Sequence, residues 1–246
     1  YLPDQSIGEG WVADSGATID GIYRTILHTK GVEDKAQQVV YLKKGSTFDM
    51  GDVHAEVLGP VGTHSLKYTG NHKGIGSLSG HFLNNNSLTT MFTCGGIKYL
   101  TTGDIEEEEE AALVAEYGSK LRADILKMPH HGLDTSSTDA FLSAVKPTWS
   151  FAENSGYDVP QKTSTSGESY YIVRGFNPLQ RYRKVGFAYF VGCEKAAFVA
   201  QVSGGQVSLF RDANNNGVAE SGERLSGTVK VKGDGVVLGS TPGYYG

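Results

Sequence analysis

Ile97-Lys98-Tyr99-Leu100-Thr101-Thr102-Gly103-Asp104, then the acidic run Glu106-Glu107-Glu108-Glu109-Glu110, and further on Ile125-Leu126-Lys127-Met128-Pro129-His130-His131-Gly132, make up the stretch whose reading decides the fold. Residues 91–102 read as a strand that stops at Gly103, where glycine permits a sharp turn and leaves the Asp104 carboxylate at the strand's C-terminal edge. The five glutamates read as a helix start, because acids favour the positive end of the helix dipole. Good helix formers (Ala111, Ala112, Leu113, Ala115) follow, and Gly118 stops the run. Residues 123–128 are a near-continuous apolar run ending at the histidine pair. The polar Asp134-Thr135-Ser136-Ser137 then reads as the N-cap of a helix over 138–145. A strand–helix–strand unit takes a right-handed crossover between parallel strands, so Asp104 and the histidines are expected on one edge of one sheet. A carboxylate and neutral imidazoles so placed suit zinc or manganese, which makes Asp104, His130 and His131 the candidate ligands.

Working outward, residues 19–29 show helical spacing, and residues 38–42, 47–50 and 54–58 read as a β-meander that ends at Gly59-Pro60. His54 alternates within a strand and is expected to be structural. Residues 61–80 form a long aperiodic loop, and His64, His72 and His81 in or beside it could reach a site. After a strand starting at Trp149 and a polar loop over 153–167, the segments 170–174, 185–191, 196–202 and 206–210 are β-like. They either complete the sheet or form a β appendage. Lys127 is expected to snorkel to the surface, although it could meet a phosphate.

Composition narrows the class. With 246 residues the chain is long enough to bury a core, and its net charge of −5 gives no general pull toward nucleic acid. Thirty-three glycines and many Tyr, Ser and Thr suit a β-rich extracellular protein. No apolar run approaches the length of a membrane helix, so no membrane insertion is expected. The start at Tyr1, without Met or a signal segment, is expected of a processed or truncated product. Cys94 and Cys193 are expected as buried free thiols.

A second motif lies in the tail. Asp212-Ala213-Asn214-Asn215-Asn216-Gly217-Val218-Ala219-Glu220-Ser221-Gly222-Glu223 matches a twelve-residue calcium loop, with side-chain oxygens at positions one, three, five and twelve and Gly at six. Its flanks read as strands, not helices. Asp212, Asn214, Asn216 and Glu223 are the candidate calcium ligands, and an Asn/Gly-rich turn without an ion is the plain alternative.

Asn84-Asn85-Asn86-Ser87-Leu88, Leu100-Thr101-Thr102-Gly103-Asp104 and Leu126-Lys127-Met128-Pro129-His130-His131-Gly132, in that order and spacing, resemble the metallo-β-lactamase superfamily, in particular its competence-protein (DNA-uptake) branch. Asp14-Ser15-Gly16, Tyr23, Lys44-Gly45, Gly51-Asp52 and Val57-Leu58-Gly59-Pro60 also fit that branch. The resemblance implies an αββα sandwich, here partial, within residues 1–153, followed by a C-terminal β-rich extension over 154–246. It implies metal-dependent hydrolysis of a phosphodiester or related ester, small or polymeric, by two zinc or manganese ions in the complete domain. In that scheme Asp104 bridges the ions, His131 binds the second, and His130 is either that ligand or a catalytic group positioning substrate. Asn84 or Asn85 would lie beside the site as substrate contacts, or else form a turn feeding the next strand. The superfamily's His-x-His-x-Asp-His run is absent from this chain, and Tyr157-Asp158-Val159-Pro160 stands where relatives place Gly-His-Pro. Two classes of function are therefore expected: a secreted or envelope hydrolase of bacterial type whose site is incomplete in this chain, or a non-catalytic, calcium-binding extracellular module.

Overall fold

The computed structural model describes residues 2–3, 40–61, 84–133, 135–154, 161–165, 168–172, 181–182, 185, 187–192, 197–212, 214, 216–224, 230–232 and 235–237. Within them the chain is mixed α/β, and one seven-stranded sheet dominates. Its strands are numbered along the chain: β1 Thr47–Met50, β2 Val53–Gly59, β3 Thr89–Cys94, β4 Ile97–Thr101, β5 Ile125–Lys127, β6 Trp149–Asn154 and β7 Phe187–Gly192. Spatial order follows chain order. From β1 to β4 neighbours are antiparallel, and from β4 to β7 they are parallel.

The change of sense at β4 follows from what connects the strands. Gly95 and Gly96, at φ +54° and +82°, make a two-residue hairpin turn of the kind that matches strand twist, so residues 91–100 form two antiparallel strands where the sequence read one. The next two connections are helical: α1 (Glu107–Tyr117) between β4 and β5, and α2 (Asp139–Val145) between β5 and β6. Helical crossovers bring strands back parallel. The expected strand–helix–strand unit is present, with Tyr99 opposite Ile125 and Leu100 opposite Leu126. Strand β7 comes from the segment beyond residue 153 and completes the sheet. Ala197–Ser203 and Gln206–Asp212 instead form a separate hairpin. The expected helix over 19–29 and the turn at 14–16 lie outside the described residues, as does Cys193. Cys94 is a half-buried free thiol.

Strand alternation sorts the core onto two faces. Met91, Leu100 and Leu126 face the helices, where Leu113, Leu121, Phe141, Leu142 and Val145 complete a buried cluster. The opposite face carries a row of rings, Phe48, Phe92, Tyr99 and Phe151, with successive centroids 6.3, 6.0 and 5.9 Å apart.

Helix α1 begins where the acid run predicts, but its glutamates are not a solvated face. Glu106, Glu109 and Glu110 are fully buried. Asn85 caps the helix from a distant segment: its Oδ1 accepts N–H groups from Glu106 (2.9 Å) and Glu109 (3.4 Å). Glu109 Oε1 accepts the Val61 N–H at 2.9 Å, beside Gly59, where an added Cβ would lie 2.6 Å from that oxygen. Glu110 accepts the N–H groups of Ser137 and Thr138, tying α1 to the start of α2, whose N-cap is Thr138.

Burial pushes the Glu110 carboxyl from 4.5 up to about 7, against the pull of its hydrogen bonds from Thr138 and Ser137 and of nearby Arg181. Between those two values the folded chain holds a proton that the unfolded chain has released. Stability therefore declines as pH rises through that window and levels off above it. Urea unfolding from pH 4.5 to 8 is expected to show a decline of up to roughly 3 kcal/mol in that window, and Glu110→Gln is expected to flatten it. An unchanged slope in the variant would assign the decline to other groups.

Candidate functional site

The site forms where the C-terminal ends of β4 and β5 meet. Thr102 is buried and its Oγ1 donates to the Lys127 carbonyl at 3.1 Å, which ties the two strand ends together. The chain then turns at Gly103, with φ +56°, packed so closely on Ser87 that an added Cβ would lie 2.6 Å from the Ser87 Cβ. Ser87 Oγ accepts the Asp104 N–H at 3.2 Å and so aims the residue that follows. From the other strand, the His130 N–H donates to the Gly103 carbonyl at 3.2 Å.

Both histidines sit in the left-handed backbone region, His130 at φ 45°, ψ 46° and His131 at φ 56°, ψ 19°. Two such residues in succession cost roughly 1–2 kcal/mol each, a strain that persists only where the surroundings hold it in place. Here the strain presents both imidazoles at the strand end. His131 Nε2 lies 3.3 Å from Asp104 Oδ1, and Lys127 Nζ lies 3.6 Å from the same oxygen. The hydrogen bond from His131, followed by the charge of Lys127, holds the Asp104 carboxyl at about 2 despite its burial.

His130 is turned differently. Its Nδ1 is 2.7 Å from Thr135 Oγ1 and 3.5 Å from Glu106 Oε1. A carboxylate only accepts, which favours the Nδ1–H tautomer and leaves the lone pair on Nε2. Burial lowers the His130 pKa, opposed by Glu106 and Asp104. Glu106 also accepts from Asn84 Nδ2 at 2.8 Å, so one buried carboxylate positions both a candidate histidine and a candidate asparagine. Asn85 lies beneath the site, its Oδ1 on the α1 end and its Nδ2 donating to Glu108 Oε2 at 2.9 Å. His54 is an exposed strand residue paired with Asp49 at 2.7 Å, away from the site. His64, His72 and His81 lie outside the described residues.

Lys127 departs from the snorkelling expectation. It is only 8% exposed and its ammonium donates inward to the Gly103 carbonyl at 2.9 Å. Sequence reasoning also missed Ser87, Glu106 and Thr135, which act on Asp104 and His130 across the fold and follow no local pattern. Gly103 before Asp104 was the one available signal.

As a metal centre the arrangement is partial. Two ligands about 2.0–2.1 Å from one tetrahedral ion lie about 3.3 Å apart, and Asp104 Oδ1 and His131 Nε2 have that separation. The donor types also fit zinc or manganese. Yet among the described residues no three of His, Cys, Asp or Glu converge as a ligand set. In the described part of the tail loop, Asp212 is 1% exposed and accepts backbone hydrogen bonds. Its Oδ1 accepts from Asn216 N (3.1 Å) and its Oδ2 from Gly217 N (2.8 Å). Asn214 and Asn216 direct their Oδ1 atoms to backbone N–H groups and their Nδ2 atoms to Glu220.

Part of the chain is similar to competence-related proteins. It is 40% identical over 74 residues to competence protein ComA of Neisseria gonorrhoeae, covering 30% of this chain and 11% of that protein. It is 34% identical over 64 residues to ComE operon protein 3 of Bacillus subtilis (strain 168), covering 26% and 8%. An uncharacterized protein, YcaI of Escherichia coli (strain K12), is 30% identical over 93 residues, covering 38% and 12%. The matched region therefore spans about a tenth of the length of these relatives. No family model matches the chain. No helix among the described residues is long and apolar enough to cross a membrane.

Gly103→Ala tests the turn that presents Asp104. The positive φ alone costs roughly 1–2 kcal/mol, and the contact with Ser87 adds to it. The expected outcome is a lowered urea midpoint with unchanged m-value. A variant as stable as the parent would show that the turn tolerates a side chain.

Proposed function

We propose that this chain carries the C-terminal part of a metallo-β-lactamase-like αββα hydrolase domain, acting on a phosphodiester or related ester, in a bacterial protein of the cell envelope or exterior. The observation that carries the reading is the 3.3 Å separation of Asp104 and His131 at the shared end of two parallel strands, held there on strained backbone. Partial similarity to competence proteins supports the same branch, and a nucleic-acid ester is one substrate that relationship suggests. In this reading Asp104 and His131 hold zinc or manganese, which when bound would supply Lewis-acid activation of the ester and of water. His130, fixed by Thr135 and Glu106, presents Nε2 toward substrate or takes part in metal binding. Asn84 stands beside it on the same carboxylate. Among the described residues these two donors are an incomplete ligand set, and residues 154–246, apart from β7, form the β-rich extension in this reading.

A weakly zinc-binding chain is the expected outcome of calorimetric titration, with binding lost in Asp104→Ala and in His131→Ala. Equal zinc binding by Asp104→Ala and the parent would reject the reading. In a phosphodiesterase assay with zinc or manganese, the 246-residue chain is expected to be essentially inactive, because two donors do not hold a hydrolytic ion tightly. Chelator-sensitive turnover would show that residues beyond the described set complete the centre.

The tail loop supports a second element of function: calcium held by Asp212, Asn214, Asn216 and Glu223, ordering the hairpin that precedes it. The buried Asp212 and the positive φ of Gly217 (+73°) at the loop's sixth position are what this reading rests on. Millimolar calcium is expected to raise the thermal midpoint of the intact chain but not of Asp212→Ala. Identical melting curves for the intact chain with and without calcium would leave the loop as a turn.

A further inference from the structure

Apart from the strand-end site, the fold holds an apolar cavity of about 250 Å³ on the face of the sheet opposite the helices. Strand alternation puts Phe92, Tyr99 and Phe151 on that face, and their rings line the cavity. Phe92 and Tyr99 stack with centroids 6.0 Å apart and planes 27° from parallel, and Tyr99 and Phe151 follow at 5.9 Å and 27°. Ile125 is 2% exposed in the same lining. Cys94 and Ile97 are half-buried beside the β3–β4 turn, at the far end of β4 from Asp104.

A second element bounds the space. Ala200 and Val202, from the hairpin formed by Ala197–Ser203 and Gln206–Asp212, also line it. The turn of that hairpin lies against the β3–β4 turn: a Cβ added at Gly95 would be 3.7 Å from Val202 Cγ1, and one added at Gly205 would be 3.9 Å from the Gly95 carbonyl oxygen. Among the described residues that line the cavity none carries a charge, and the Tyr99 hydroxyl and Cys94 thiol are the only polar side-chain groups. A buried water needs about two to four polar partners, whereas an apolar cavity of about 150 Å³ stays dry and admits benzene. The space here is larger. Stacked rings along one wall favour a flat ring that continues the stack over a flexible chain, which has no face to offer and loses more freedom when held.

We propose that this cavity is a binding site for a small, uncharged, flat aromatic molecule of about two fused rings, stacked on Phe92 and Tyr99 and held between the sheet and the hairpin. It is a second site, and it does not depend on the metal reading. An anionic ester is kept out of it by the cost of desolvating a charge against an apolar lining.

Indole titrated into the 246-residue chain, followed by NMR of the isoleucine and valine methyls, is the direct test. The expected result is saturable binding with a dissociation constant of about a millimolar or below, with nuclear Overhauser contacts from indole to the Ile125 and Val202 methyls. Phe92→Leu keeps an apolar side chain but removes a stacking face, and is expected to weaken indole binding about threefold or more. Ala200→Trp, at an exposed position of the hairpin, puts a ring at the cavity and is expected to weaken it about tenfold. Octanol, an apolar chain without a ring, is expected to bind more weakly than indole. Absence of saturable binding overturns the proposal, as do contacts confined to other methyls, octanol binding as tight as indole's, or indole affinity unchanged in both variants. If one variant fails to fold the other decides, and the contacts seen in the parent decide if neither folds.

Discussion

Buried carboxylates at the start of α1 are the constraint on which the rest of the structure depends. A helix N-terminus leaves backbone donors unpaired and favours negative charge, so an acidic first turn is stabilising even without partners. Here the turn is inside the protein, and each buried acid must find donors. Glu109 takes Val61, Glu110 takes Ser137 and Thr138, and Glu106 takes Asn84 and approaches His130, while Asn85 returns the favour by capping the helix. The demand for hydrogen bonds at one helix end thus gathers segments spread from residue 61 to residue 138.

That gathering explains how strained histidines persist. His130 and His131 leave β5 in left-handed conformations that few residues with a Cβ adopt. The loop is held at both ends: the His130 N–H bonds the Gly103 carbonyl, and beyond it Ser136 Oγ donates to the Ile105 carbonyl at 2.7 Å. Arg181 adds two bonds to the Ser136 and Ser137 carbonyls at 3.0 Å. Together these contacts over-determine the backbone between β5 and α2, the condition under which strain can be kept at a functional position. The strand end therefore offers one imidazole to Asp104 and another to the Thr135–Glu106 pair.

The electrostatics of the site differ from those of the whole chain. Net charge is −5, yet Asp104 has Lys127 at 3.6 Å and His131 at 3.3 Å. Competence-related proteins share only short segments with this chain, so the relationship does not carry any complete activity to it.

By itself the sequence determined the parts set by local chemistry. Apolar runs made strands at β4, β5 and β6, the glutamates started α1, Gly118 ended it, and a strand–helix–strand order was enough to put Asp104 and the histidine pair on one edge. Chain handedness and periodicity do not need to know what lies elsewhere in the fold. Tertiary structure alone decided the direction of the polar side chains. A glutamate run has the same local signature whether it meets water or the Val61, Asn84 and Ser137 segments, and Lys127 the same propensity whether it snorkels outward or turns to the Gly103 carbonyl. The two adjacent histidines were likewise equivalent until their strained backbone turned one ring to Thr135 and Glu106 and the other to Asp104. A buried polar group must go where its hydrogen-bond partner is, and only the folded chain specifies where that is.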